Sequence, residues 1–247
     1  MDQTIVIRDG RYILKQSGVV AEGDIRELAD SFTPRAAQPQ TQFLPHEDRT
    51  CAMIASTPAV TFYAMYLAPK ERHIKIHNAR REGYTLTWPH TYLFLYCQPG
   101  VAVPSYYFAK CASKKITSES DIIGTLPMPN VSTGGKVCNG TIPIPQFVRD
   151  KAHSAVDIVE QYPQIFTAEP FNMDRAYQFA QGIPGEFIQP GAERPQDEDV
   201  PRVMAFANDC LDNWEKYSKE HTPEEVCRLS WDWDASSVGT LIKQYVR

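Results

Sequence analysis

Six cysteines, at positions 51, 97, 111, 138, 210 and 227, are the residues of this 247-residue chain best suited to covalent chemistry. A thiolate is both a good nucleophile and a good leaving group, so one reachable thiol is enough for a group-transfer site. Most cysteines, however, serve as small buried apolar residues. Cys97 ends the apolar run Tyr92-Leu93-Phe94-Leu95-Tyr96-Cys97, and Cys210 falls on the apolar stripe of a helical pattern, so both read as core. Cys51, Cys111 and Cys227 stand in no motif. Cys138 differs from all five. It lies in a stretch rich in turn formers, Gly124 to Pro145, just after Gly134-Gly135 and Lys136-Val137. Glycine pairs permit the positive φ of a tight reversal, and loops carried by a rigid sheet are where reactive side chains collect.

The other candidate groups have plainer readings. His73 and His77 share one face of an alternating strand pattern and lack a third metal ligand. Asp232 and Asp234, between and after Trp231 and Trp233, read as the solvated side of a docking segment. Asp197-Glu198-Asp199 reads as a solvated loop. No Cys-x-x-Cys pair occurs, and the chain is too long and too poor in cysteine for a disulfide framework, so free thiols are expected.

The segment around Cys138 carries a resemblance. Pro129-Asn130-Val131 is followed by a short turn ending in Gly135, then by Lys136-Val137-Cys138-Asn139-Gly140, with the Asn eight residues before the Cys. This resembles the active-site signature of ubiquitin-conjugating enzymes, in which His-Pro-Asn precedes a Gly-ended turn, an aliphatic residue and the catalytic Cys. Met128 stands in place of the His, as in the bacterial ubiquitin-conjugating-like family D, which includes protein B of the PRTRC plasmid cassettes. Phe43-Leu44-Pro45, Trp88-Pro89 and Ile142-Pro143-Ile144-Pro145 are also similar to that family.

The resemblance implies a ubiquitin-conjugating fold of the α+β class. Its antiparallel meander, of about four strands, is flanked by helices; here an N-terminal β-hairpin and a C-terminal helical extension are added. It implies a transferase that carries a bacterial ubiquitin-like protein as a thioester on Cys138 and passes it to a target amine. Asn130 would donate to the thioester oxygen as charge develops there, and losing one such donor costs about 3 kcal/mol of barrier. Met128 would brace by packing the active-site loop that also contains Pro129, Gly134, Gly135 and Val137. Family members carry a His in a Phe-Thr-His-Pro-Asn-like stretch; here that stretch runs Phe166-Thr167-Ala168-Glu169-Pro170-Phe171-Asn172, and His153 or Glu169 would take its place. The implied partners are a ThiF-like activating enzyme, a ubiquitin-like protein and a JAB-type metallopeptidase, with no cofactor and no metal. The alternative is a catalytically idle module that docks the ubiquitin-like protein or its activating enzyme.

Several elements must position this loop. Thr4-Ile5-Val6-Ile7 and Arg11-Tyr12-Ile13-Leu14 flank Asp9-Gly10, a hairpin signal. Asp24 and Glu27 predict a helix start, with the helix running to about Phe32 and a Pro- and Gln-rich loop over 33–42. Val60 to Tyr66, His73 to His77, Tyr92 to Cys97 and Ser105 to Ala109 read as successive strands, with Pro99-Gly100 as a turn. Residues 148–162 predict a helix ended by Pro163, and 174–181 a shorter one stopped by Gly182. Residues 182–201 read as an exposed connection. Val203, Phe206, Ala207, Cys210, Leu211, Trp214 and Tyr217 form a helical stripe, and Thr222-Pro223-Glu224-Glu225 a capped helix start. The domain reading is a hairpin and helix packed on the core over 1–42, a core with the Cys loop over 43–181, and a linker with helices over 182–247.

Composition limits the function classes. Hydrophobic residues make up 43% of the chain, enough for a proper core. The net charge is −5 and no long basic run occurs, which argues against nucleic-acid binding. No stretch nears the length of a membrane span, and the polar start carries no signal-like segment, so a cytoplasmic protein is expected.

Overall fold

A computed structural model of the chain describes the strand backbones at 3–8, 11–16 and 19–24 and residues 39–98, 104–138, 159–168 and 170–246. The chain divides into two compact units, residues 1–38 and 39–247. In the first, β1 (Gln3–Arg8), β2 (Arg11–Gln16) and β3 (Val19–Asp24) form an antiparallel sheet in that order. Arg8 pairs with Arg11, as the expected hairpin requires. Asp24 ends β3, and the helix expected after it, at 25–32, lies outside the described residues.

The second unit is built on a seven-stranded sheet. Its strands are β4 (Gln40–Phe43), β5 (Cys51–Thr57), β6 (Val60–Leu67), β9 (His90–Cys97), β10 (Tyr106–Ala112), β11 (Ile122–Thr125) and β13 (Ser236–Ser237). They lie in the order β13-β11-β10-β9-β6-β5-β4, every neighbouring pair antiparallel. A second sheet holds β7 (Lys70–His77), β8 (Gly83–Trp88) and β12 (Phe171–Asn172) in the order β12-β7-β8, with β12 parallel to β7.

This corrects the expectation of a meander of about four successive strands. β6 pairs with β9, and the β7–β8 hairpin leaves the sheet. The physical reason lies in the residues. β7 has one polar face, with His73, Lys75 and His77 exposed and Ile74 and Ile76 buried. A strand in the middle of a sheet covered on both sides cannot carry such a face. β6 and β9 can occupy that middle place, because they are apolar on both faces. Leu93, Leu95 and Cys97 enter one core while Tyr92 and Phe94 enter the other. The loop expected over 33–42 also gives way at its end, where β4 pairs with β5 at the sheet edge.

Helices cover the two faces: α1 (Tyr162–Ala168), α2 (Ala176–Gly182), α3 (Val200–Glu220), α4 (Pro223–Cys227) and α5 (Val238–Tyr245). α3 lies along β8 and satisfies the free edge of that strand. Thr85 N–H donates to Glu215 at 2.8 Å, Thr87 N–H to Ser218 Oγ at 2.8 Å, and the Trp214 indole N–H to Thr87 O at 2.9 Å. An edge covered this way cannot recruit another strand. α4 opens with the expected capping box, Thr222 and Glu225 each bonding the other's backbone N–H. α5 closes the opposite core with Val238, Leu241 and Ile242.

Two helix boundaries depart from expectation. Pro163 does not end a helix; it sits in the first turn of α1, where its missing N–H costs nothing. Residues 148–158 lie outside the described residues. The stretch 182–201 is not wholly exposed, because Ile183 and Phe187 are buried and Phe187 stacks on Trp214 with ring centroids 5.2 Å apart. Among the described residues no helix is long and apolar enough to cross a membrane.

Candidate active site

The Cys138 loop grows out of the edge of the main sheet. β11 pairs with β10 through Thr125 opposite Lys110, then leaves that edge. The segment carrying Cys138 takes its place further along β10. Lys136 bridges Phe108, and Val137 N–H donates to Tyr107 O at 3.0 Å. Gly124 and Thr125 therefore belong to a strand, and the turn-rich stretch begins one element later than its composition indicates.

Between the two attachments the chain makes a tight hairpin. Val131 bridges Val137, Ser132 N–H donates to Lys136 O at 3.0 Å, and Gly135 N–H donates to Ser132 O at 2.8 Å. The tip is a 3-10 turn at Thr133–Gly135. Gly134 has φ 84° and Gly135 φ 90°, which accounts for glycine at both positions. Met128, Val131 and Val137 are buried in the core that also holds Leu93 and Leu95. Arg175 N–H, just ahead of α2, donates to Pro129 O at 2.6 Å and holds the other side of the loop.

This hairpin brings Asn130 and Cys138 together. Cys138 N–H donates to Asn130 O at 2.9 Å, and the Asn130 side-chain amide donates back to Cys138 O at 3.4 Å. That acceptor also fixes which end of the amide faces Cys138. Asn130 is 8% exposed, and its Oδ1 is buried with no hydrogen-bond partner among the described residues. A bond of 3.4 Å is weak, so the Nδ2 donor is cheaply redirected to a stronger acceptor such as an oxyanion.

Cys138 is half-buried, and so is Cys51, whose thiol donates to Met53 O at 3.3 Å. The other four cysteines are buried. Burial pushes the Cys97 thiol up to about 11 and the Cys210 thiol up to about 12, and raises Cys51, Cys111 and Cys227 as well. Those five thiols are therefore poor sources of thiolate at neutral pH.

Pro129, Asn130, Gly134, Gly135, Val137 and Cys138 thus fall within one hairpin, with Met128 beneath it. His153 and Glu169 lie outside the described residues, as do Ile142 to Pro145 and the Pro99-Gly100 turn. Two residues beside the loop escape a reading by spacing. Lys110 is buried under the Gly134-Gly135 turn, and Asp234, exposed as expected, has a carboxylate oxygen 3.9 Å from the Lys110 ammonium. A charge inside the apolar run Tyr106 to Cys111 was the available signal for Lys110. His73, His77, Asp232 and the acidic run 197–199 are exposed, as expected. No protein-family model matches the chain, and neither does any curated protein or solved structure.

Proposed function

We propose that this chain is a conjugating transferase that holds a ubiquitin-like protein as a thioester on Cys138 and passes it to an amine. The observation that carries the reading is the reciprocal hydrogen bonding of Asn130 and Cys138 across the hairpin, which sets a weakly held amide donor beside the thiol residue. The α+β architecture supports a variant of the ubiquitin-conjugating fold. An antiparallel sheet precedes the Cys loop, and helices follow it.

In the first step the Cys138 thiolate attacks the carrier thioester on an activating enzyme of the ThiF-like kind, and that enzyme's cysteine leaves as a thiolate. In the second an amine attacks the new thioester, the Cys138 thiolate leaves, and the amine proton passes to a base. Both steps place negative charge on the thioester oxygen. The Asn130 amide counters it best where the charge is largest, in the attack by the poorer nucleophile.

The test combines the protein with its activating enzyme, ATP and ubiquitin-like partner. A carrier adduct that reducing agent cleaves is expected. Cys138→Ser should trap a more stable ester and Cys138→Ala should form nothing, while Cys97→Ala and Cys210→Ala should still load. Asn130→Ala should load normally yet discharge about 100-fold more slowly. Binding of the carrier with no reducible adduct would replace this reading by that of a docking module. Met128, fully buried where ubiquitin-conjugating enzymes carry His, would fit such a module.

A further inference from the structure

The geometry points to Lys110 and Asp234 as positioning residues for the Cys138 loop, tying it to the C-terminal segment. This rests on the transfer reading only for its consequence in turnover; the positioning itself is a property of the fold.

Lys110 lies on β10, with its side chain 2% exposed. Its stem runs directly under the hairpin tip. A Cβ placed on Gly135 would lie 2.9 Å from Lys110 Cε and 3.1 Å from Cδ. The tip therefore rests on methylene groups with no room between. The ammonium donates to Thr125 Oγ1 at 3.0 Å and faces Asp234 Oδ2 at 3.9 Å. Asp234 also leans over the tip, its Oδ2 4.0 Å from where a Cβ on Gly134 would be. The tip thus rests on a lysine stem below, with a carboxylate near its side.

Asp234 is itself carried by a docked segment. Trp233 O accepts from Thr125 N–H at 2.8 Å, and the Trp231 indole N–H donates to Val226 O at 2.7 Å. A Cβ on Gly182 would lie 2.1 Å from the Trp233 ring, and one on Gly124 would lie 2.0 Å from Trp231 O. These contacts of Trp231 and Trp233 dock the segment, and the exposed Asp234 follows directly after it. Burial lowers the Lys110 pKa, and the Asp234 carboxylate opposes that shift and so favours the charged ammonium. An ammonium deprived of this partner withdraws toward solvent and takes the support of the tip with it.

The test uses the full-length protein with Asp234→Ala and Lys110→Met, and Asp232→Ala as the control. Asp232 is exposed on the same segment and accepts from Ser230 Oγ at 2.6 Å. Three readouts apply: the rate of Cys138 alkylation in the native state, the amide chemical shifts of Gly134, Gly135 and the Asn130 side chain, and discharge kinetics. In Asp234→Ala we expect alkylation at least fivefold faster, shifted signals at all three residues, and a lower kcat for discharge with KM unchanged. Lys110→Met keeps an uncharged stem under the tip and should stay near wild type, and adding it to Asp234→Ala should cancel the effect of that variant. Asp232→Ala should match the wild type throughout. Alkylation within twofold of wild type and unmoved signals in Asp234→Ala would overturn the proposal even if Lys110→Met fails to fold. A wild type that forms no thioester, but whose loop signals still respond to Asp234→Ala, would sink the transfer reading and leave the positioning intact.

Discussion

At the residue scale the site depends on two glycines whose roles differ. Both adopt a left-handed backbone, but only Gly135 is pressed against its neighbours, at 2.9 Å from Lys110 Cε and 3.0 Å from Ala109 O for an added Cβ. At Gly134 the nearest atom is 4.0 Å away. Gly134→Ala should therefore cost only the backbone term, about 1–2 kcal/mol. Gly135→Ala adds overpacking and should cost about 2–4 kcal/mol. Urea denaturation of the two variants checks this, and equal losses would mean that the lysine stem does not support the tip. That Asn130 and Cys138 would share a site was expected from the resemblance alone, and the tight reversal between them was legible from Gly134-Gly135 because a hairpin is a local object. The lysine beneath it was not, since it comes from another strand.

At the scale of elements, α3 shows what periodicity can rank and what it cannot. Phe206 and Trp214 occupy equivalent places on the stripe. Trp214 is fully buried, bonds Thr87 O, and packs on Phe187 and on Trp231 at 5.5 Å. Phe206 is only partly buried at the margin of that core. Trp214→Ala should destabilise the protein by about 3–5 kcal/mol, and Phe206→Ala by less than about 2 kcal/mol. Denaturant midpoints would distinguish them, and similar losses would contradict the packing described. The helix also carries polar residues that a hydrophobic stripe ignores. Glu215 and Ser218 complete the hydrogen bonding of β8, a role visible only once helix and strand edge meet.

At the scale of the whole molecule, the end of β9 makes stability depend on pH. His90 accepts or donates with Tyr66 OH at 2.7 Å and lies near His46, Lys115 and Cys227. Burial first, then the charges of Lys115 and His46, lower its pKa from 6.5 to about 4. The unfolded chain therefore takes up a proton before the folded one does. Stability from this group is complete above the unfolded value of 6.5, declines as pH falls toward about 4, and levels below that. The slope for one proton is at most about 1.4 kcal/mol per pH unit. His90→Gln should flatten the Tm profile over that window. It should leave a steeper loss at more acid pH, where Asp121 is protonated. Burial raises that carboxyl, but Thr117, Lys114 and Ser118 hold it below the usual range. An unchanged slope in the variant would remove His90 from this account.

Short-range signals set much of this protein before any folding is considered. Alternation, turn residues, a capping box and a helical stripe define β1 and β2, β6, β9, β10, α3 and α4, because each rests on neighbours within a few residues. The same holds for the Gly134-Gly135 reversal between Asn130 and Cys138. Tertiary structure alone decided that β6 joins β9, since both strands were equally apolar and only competition with the half-polar β7 selects the partner. It decided that Phe187 is core and not loop, by placing Trp214 opposite it. It also placed Lys110 and Asp234, distant in sequence, on either side of one turn. Contacts of that kind are made by the closing of the chain on itself, and no local pattern encodes which distant side chain will arrive.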